Sequence, residues 1–171
     1  GDTLTLSEEQ KRTLLASVLR GEVTLVHAFN ELGHGSDMSA NTTSAILDGD
    51  EYVINGRKDQ ITSVLPPDIV LCLAVTNPEA PPTQRLSVIA VDADTPGMRI
   101  KPESLLLPGR EYKFIFSDVP VPSTRIIGEP GQGIEIAELM VEIERGGIAT
   151  ISLERQTEIE SREALLKESS Q

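Results

Sequence analysis

The pattern of hydrophobic positions divides the chain into a central β-type region and two helical ends. Between residues 23 and 127, short runs of apolar and β-branched residues alternate with stretches of Gly, Pro, Asp and Asn. Several strands at this spacing, with no helical period between them, predict a mainly-β fold, an antiparallel barrel or sandwich. The predicted strands are 44–46, 52–54, 69–75, 86–92, 98–101, 112–116 and 125–127, with a hairpin turn at 47–50.

Helical periods flank this region on both sides. Residues 4–20 predict a short helix in which Ser7 is the N-cap and Gln10 completes a capping box. After Gly133 the apolar residues recur near helical spacing, as one long helix or as two shorter helices with a break at 146–147. The predicted division is an N-terminal helix within 1–22, a β-domain at 23–130 and a C-terminal helix within 131–171.

The acidic composition narrows the classes of partner. A net charge of −12 argues against binding to nucleic acid and to anionic membrane surfaces. No apolar stretch of the sequence is long enough to cross a bilayer. The single cysteine, Cys72, lies in the apolar run 69–75, so we expect a buried thiol, no intrachain disulfide and a cytoplasmic protein. No metal site is predicted.

A glycine-rich turn follows the apolar run 23–29. Residues 33–36 are Gly-His-Gly-Ser, and Asp37 comes next. Glycines let a backbone approach a ligand closely, and the exposed N–H groups of such a turn favour an anionic ligand. Taken alone, the pattern is more typical of an ordinary turn than of a binding site.

Six motifs follow one another in order along the chain. They are Glu31…Gly33…Gly35-Ser36-Asp37, the stretch 49–62 with its Asn-Gly-Arg-Lys segment, and the stretches 91–97, 116–122, 128–133 and 144–147. This succession resembles the middle β-domain of flavin-dependent acyl-CoA dehydrogenases, over roughly residues 8–155. The resemblance implies a small antiparallel β-barrel between two helical bundles, of which the terminal helices of this chain would be remnants.

The resemblance also implies a set of site residues. The implied flavin contacts are Asn30, Glu31, Gly35, Ser36, Gln60, Ile61 and Thr62. Ser36 is implied to face the acyl thioester as well, and the other candidates for substrate binding are Arg110, Glu142 and Arg145. Because Glu142 and Arg145 are three residues apart on a predicted helix, they could simply pair with each other, and we favour that interpretation.

The sequence departs from the family pattern at the flavin face. Asn30 stands where the family usually has Thr, Leu32 and His34 replace Pro and Ala, and Gln60 replaces the Trp that packs on the flavin ring. A buried aromatic stack is worth about 0.5–1.5 kcal/mol beyond its area, whereas a glutamine brings amide groups that need partners. We therefore expect this chain alone to bind FAD weakly or not at all, and we expect FAD as a cofactor only with a partner chain.

Three hypotheses for the function follow. The family's catalytic carboxylate base belongs to a C-terminal bundle that this sequence does not contain, so we do not expect a self-sufficient dehydrogenase. The favoured hypothesis is non-redox chemistry, such as cyclisation or isomerisation of a small acyl- or polyketide-type biosynthetic substrate. Its candidate proton-handling groups are His27, Asn30, His34 and Gln60.

The second hypothesis is the flavin-binding half of a split acyl-CoA or acyl-carrier-protein dehydrogenase that works with a partner chain. The third is a non-catalytic binding module or a fragment, in which His34 is an ordinary turn residue and His27 an ordinary strand residue. In each case the expected ligand is a small molecule or an acyl thioester. The apolar stripe Ile136, Leu139, Ile143, Ile151 and Ile159 predicts a homodimer through the C-terminal helices, in preference to a helix that folds back on the barrel.

Overall fold

The computed structural model describes residues 7–10, 12, 16–34, 37–63, 65–104 and 110–144. The chain divides into two compact units, residues 1–137 and 138–171. All the strands that the structure describes lie in the first unit. The predicted domain boundaries after residues 22 and 130 are a different division and stay a prediction.

Eight strands form one sheet in the first unit. They are β1 (Leu25–Ala28), β2 (Ser44–Asp48), β3 (Glu51–Ser63), β4 (Ile69–Val75), β5 (Leu86–Asp92), β6 (Met98–Ser104), β7 (Arg110–Pro122) and β8 (Ile126–Ile127). Their order is β6-β7-β3-β2-β4-β5-β8, and β1 also pairs with β4. The predicted mainly-β fold is therefore confirmed.

Two pairings differ from the antiparallel arrangement expected from the sequence. β1 runs parallel to β4, with Leu25 opposite Ile69, and β2 meets the far end of β4 in a single parallel pair. β1 and β2 lie one after the other along the same edge of β4, so the chain keeps its direction through the loop 29–43. The hydrophobic period of a short strand carries no information about this direction. The other pairings are antiparallel.

The core follows from the burial of the central strands. Every residue of β4 is buried, and β5 is buried except for Asp92, which explains their continuous apolar sequences. The hairpin between β2 and β3 forms as predicted, with Gly49 in the left-handed conformation at φ 61°. The buried core cluster includes Ile54, Val70, Ile89, Phe114 and Val119.

The helices begin as the sequence predicts. The Ser7 hydroxyl accepts from the Gln10 backbone N–H at 3.1 Å, and the Gln10 side chain accepts from the Ser7 N–H at 2.9 Å, which is a capping box. The described part of the helix predicted at 4–20 consists of α1 (Glu8–Gln10) and α2 (Ala16–Leu19).

The C-terminal helix also starts where the sequence indicates, as α3 (Gly133–Glu142). The break predicted at 146–147, and the stripe residues Ile151 and Ile159, lie outside the described residues. Among the residues that the structure describes, no helix is long and apolar enough to cross a membrane. The predicted cytoplasmic location stays a prediction.

Candidate functional site

A β-bulge in β3 shapes the candidate site. Lys58 pairs with Phe114 and Ile61 pairs with Tyr112, so β3 has one more residue than β7 between these two pairs. Within this bulge Gln60 has φ 58°, a left-handed conformation that is uncommon for a residue other than glycine. The bulge leaves the Asp59 N–H outside the ladder with β7.

This N–H connects the two stretches that the sequence analysis identified, one around residue 30 and the other around residue 60. Asp59 donates its backbone N–H to the carbonyl oxygen of Asn30 at 3.0 Å. The segment that follows β1 is therefore attached to the bulge of β3. Asn30, Gln60 and Thr62 are exposed, whereas Ile61 is buried in the core. The result is an exposed polar surface made of Asn30, Gln60 and Thr62, which we call the polar wall.

A buried ion pair lies beside the polar wall. The Lys58 ammonium is fully buried and lies 2.8 Å from a carboxylate oxygen of Glu31, which is itself 7% exposed. The same oxygen accepts from the Thr43 backbone N–H at 2.9 Å. The other oxygen accepts from the Thr42 N–H at 2.9 Å and from the Thr42 hydroxyl at 2.6 Å. The Glu31 carboxylate thus has four donors, of which one is a cation.

These contacts decide the protonation of Glu31. Burial by itself raises the pKa of its carboxyl group, but the nearby Lys58 charge, the Lys58 hydrogen bond and the donors from Thr42 and Thr43 outweigh it. Together they lower the pKa from 4.5 to about 2, so the carboxylate is ionised at neutral pH.

The network extends through Asn41 to the loop between β1 and β2. Lys58 also donates to the side-chain oxygen of Asn41. The Asn41 amide nitrogen in turn donates to the carbonyl oxygens of Phe29 at 3.0 Å and Met38 at 2.9 Å. Arg85 donates to the backbone of the same loop, at 2.6 Å to the Ser39 carbonyl. Lys58 therefore binds this loop at Glu31 and Asn41, and Arg85 binds it at Ser39.

A second charged group lies on the bulge itself. Asp59 is 4% exposed and pairs with the guanidinium of Arg57 at 2.6 Å, while the Lys113 ammonium lies 3.8 Å away. Because two cations surround one buried carboxylate, the Asp59 charge is compensated. The bulge is therefore fixed by its side chains as well as by its backbone.

The structure brings some of the predicted site residues together and leaves others apart. Asn30, Glu31, Gln60, Ile61 and Thr62 meet at the bulge. Both carboxylate oxygens of Glu31 are engaged inside the protein, so only its backbone remains for the predicted flavin contact.

The two histidines have different surroundings. His27 is half-buried on β1, and its ring centroid lies 4.9 Å from that of Phe29. His34 is exposed in a turn, and its N–H donates to the Glu31 carbonyl at 3.3 Å. Their proposed proton-handling roles stay predictions.

The remaining candidates fall partly outside the described residues. Gly35, Ser36 and Arg145 lie outside, and the Arg110 side chain is not described, although its backbone pairs with Ser63 at the start of β7. Glu142 is exposed at the end of α3, in the second unit.

Sequence reasoning missed the buried lysine. Tyr52, Ile54, Gly56 and Lys58 are two residues apart along β3, so a strict strand period places Lys58 on the core side. A charged residue at a core position requires a partner of opposite charge. That requirement was the available signal for the pair with Glu31.

Comparison with known proteins identifies the class. Residues 27–119 match the family model described as "Acyl-CoA dehydrogenase, middle domain". The match takes in more than half of the chain, so the chain belongs to the acyl-CoA dehydrogenase family, through its middle domain.

Individual relatives agree with this assignment. The chain is 33% identical over 150 residues to the human mitochondrial short-chain specific acyl-CoA dehydrogenase, covering 86% of this chain and 36% of the human protein. An acyl-CoA dehydrogenase structure from Geobacillus kaustophilus has a TM-score of 0.76 at 33% identity, covering 81% of this chain and 38% of that one. The ChsE4–ChsE5 complex from Mycobacterium tuberculosis has a TM-score of 0.73 at 28% identity, covering 80% and 35%. The chain thus spans about a third of the length of these relatives.

Proposed function

We propose that this chain is the middle domain of a FAD-dependent dehydrogenase of acyl thioesters, and that it supplies one wall of the flavin site. The observation that carries the proposal is the hydrogen bond from Asp59 to Asn30, which joins the two flavin-contacting stretches that the resemblance implies. Segments outside this chain complete the site and contribute the catalytic base.

The groups on the polar wall suit the polar edge of a flavin ring. Such an edge carries carbonyl oxygens and ring nitrogens, which accept and donate hydrogen bonds. The amides of Asn30 and Gln60 can do both, and the Thr62 hydroxyl can also do both. Their exposure leaves them available to a ligand. The flavin, when bound, supplies the electron acceptor of the reaction, and this chain binds and orients it.

Substrate binding is proposed for a second set of residues. Ser36 and Arg110, with Glu142 and Arg145, are the candidates for contacts with the acyl thioester. An arginine or a backbone N–H group suits the anionic groups of such a carrier.

A partner chain is proposed to complete the flavin site. One of the structures similar to this chain, ChsE4–ChsE5, is a complex of two named chains. The likeness to a chain that occurs in a complex supports the proposal of a partner chain. The partner would contribute the aromatic face that Gln60 does not offer.

Titration with FAD tests the proposal. We expect saturable but weak binding by the purified chain, with a dissociation constant above about 1 µM, because one wall of the site acts alone. Replacing Gln60→Trp should tighten binding about 2- to 10-fold, since a ring stack contributes about 0.5–1.5 kcal/mol. Equilibrium dialysis measures the affinity, with the flavin in each compartment quantified by its visible absorption.

The control is Glu79→Ala, an exposed position in the loop before β5, which should leave the FAD affinity unchanged. A complete lack of saturable FAD binding by both the wild type and Gln60→Trp would reject the flavin function.

A lack of FAD binding would support the second candidate function, which is non-redox chemistry on a small biosynthetic substrate. One observation favours that candidate, namely that the Gln60 amide is exposed on the polar wall where the family carries an aromatic ring. His27, Asn30, His34 and Gln60 would then be the proton-handling groups. General acid–base help is worth about 10²–10⁴ in rate, so His27→Ala or Gln60→Ala should lower activity at least tenfold and Glu79→Ala should not.

A further inference from the structure

We propose that the buried ion pair between Glu31 and Lys58 is a positioning device for the polar wall. Glu31 directly follows Asn30, and Lys58 precedes Gln60 by two residues. The pair therefore fixes the two halves of the wall relative to each other. The inference rests on the proposed function only where it concerns ligand affinity.

The contacts of the pair are directional and complete. The Glu31 carboxylate accepts from Lys58 and from both Thr42 and Thr43, and Lys58 also donates to Asn41. Each of these partners except Lys58 belongs to the loop between β1 and β2. A change in the position of the Lys58 ammonium would therefore move the loop that carries Asn30.

Stability alone does not account for a charged pair at this place. Lys58 is fully buried on the core side of β3, where Ile54 and Ile61 are apolar and also buried. Replacing a buried ion pair by apolar residues of similar volume is often neutral or stabilising. Apolar residues do not fix the orientation of the groups that they contact, because hydrophobic contacts are non-directional. Hydrogen bonds do fix it, because they have preferred distances and angles.

Close packing on the other side of the network limits the freedom of the loop. A Cβ atom at Gly56 would lie 2.6 Å from the Thr43 hydroxyl oxygen, so the loop lies directly against β3. Just beyond, Gln60 holds a left-handed backbone, a conformation that persists where the surroundings impose it. Asp59 and Lys58, the two residues before it, are held by the hydrogen bond to Asn30 and by the ion pair.

Three variants separate positioning from simple stabilisation. Glu31→Gln and Lys58→Met each leave a buried group without its partner, and both should lower stability in urea. The double variant Glu31→Gln/Lys58→Met removes both charges, and its stability should return to within the range of the wild type.

Amide hydrogen exchange then gives a readout that a purely structural role would not change. In the double variant we expect the Asp59 N–H, which bonds to Asn30, to exchange at least tenfold faster than in the wild type. The N–H of Leu73, in the buried strand β4, should exchange at the wild-type rate, since it reports global unfolding. The FAD dissociation constant should stay raised at least fivefold although stability has recovered.

If Asp59 exchange and FAD affinity return to wild-type values in the double variant, the pair is only structural and the inference is wrong. Should the double variant not fold, Glu31→Asp keeps the charge but shortens the side chain by one methylene group. It should also accelerate Asp59 exchange selectively, and wild-type exchange in this variant would overturn the inference. Arg20→Gln, in the exposed Arg20–Glu22 pair, is the matched control and should change none of these quantities.

The two proposals fail in different ways. A lack of FAD binding by the wild type rejects the flavin function. The amide hydrogen-exchange rate of Asp59, compared with that of Leu73, still decides whether the ion pair positions the polar wall.

Discussion

At the scale of single residues, folding strongly lowers the pKa of the Glu31 carboxyl group. Its pKa is lowered from 4.5 to about 2 because Lys58, Thr42 and Thr43 outweigh its burial. A carboxyl group whose pKa is lowered by folding stabilises the protein above its unfolded pKa, near pH 4.5. This stabilisation is lost as the pH falls through the folded pKa, near pH 2.

The shift predicts a specific acid response. The free energy of unfolding should contain a part of about 3 kcal/mol that disappears between pH 4.5 and 2. Urea unfolding of the wild type and of Glu31→Gln across this range measures it as the difference between two pH profiles. The variant should be destabilised by about 3–5 kcal/mol at neutral pH, because Lys58 is left buried without its counter-ion. The control Glu22→Gln, in an exposed pair, should have the same dependence of stability on pH as the wild type. If Glu31→Gln also had the wild-type dependence, the prediction would be contradicted.

Cys72 provides a second prediction at this scale. Burial raises the pKa of its thiol to about 11, and the Lys58 charge offsets this only in part. Since the thiolate is the reactive form, a thiol reagent at pH 8 should modify the folded protein at least ~100-fold more slowly than the urea-unfolded protein. Rapid modification without unfolding would show that β4 opens locally. The sequence predicted the burial of Cys72, and the structure confirms it.

At the scale of elements, the sequence predicts a strand most accurately where nearly every residue of that strand is buried. The strands 69–75 and 86–92 were predicted with the bounds that the structure gives, because both are continuous apolar runs between turn residues. β7 is longer than predicted, Arg110–Pro122 against 112–116. Its ladder to β3 includes both extensions, with Arg110 opposite Ser63 and Pro122 opposite Glu51. Backbone pairing of this kind leaves no signal in the hydrophobic period.

The features that build the site depend on contacts between distant residues. Glu31 and Lys58 are 27 positions apart, and the Asp59–Asn30 hydrogen bond exists only because β3 contains a bulge. Glutamine is not a residue that marks a left-handed position, so the bulge at Gln60 has no signal in the sequence. The motif resemblance therefore located the stretches of the site, and the structure was needed for their chemistry.

A comparison of two glycines tests the packing of β3 against the loop. Gly56 has φ 146°, and a Cβ atom there would lie 2.6–2.8 Å from Thr43. Gly49 has φ 61° but no atom within 4 Å of such a Cβ. Gly49→Ala should therefore cost only the backbone strain, about 1–2 kcal/mol. Gly56→Ala should cost about 1–3 kcal/mol more from overpacking. Equal unfolding free energies for the two variants would show that the loop 29–43 moves away from the added methyl group at no measurable cost.

At the scale of the whole molecule, the C-terminal helix bears on assembly. Ile136, the first residue of the apolar stripe, is buried within the first unit, so it is not available to a second copy. Leu139 is 39% exposed and is the next stripe residue along α3. A homodimer through the C-terminal helices would therefore use the stripe from Leu139 onward.

Sedimentation tests this homodimer directly. At high micromolar concentration we expect a mass near twice the 18.5 kDa of one chain, because the exposed apolar side chain of Leu139 favours self-association. Leu139→Glu should shift the mass toward the monomer by placing a charge in the apolar contact. The same variant should leave Asp59 exchange unchanged, since residue 139 lies outside the first unit. Glu138→Gln, the neighbouring position, should leave the mass unchanged. A mass near 18.5 kDa for the wild type would contradict the homodimer and favour a helix that packs against its own chain or against a different partner.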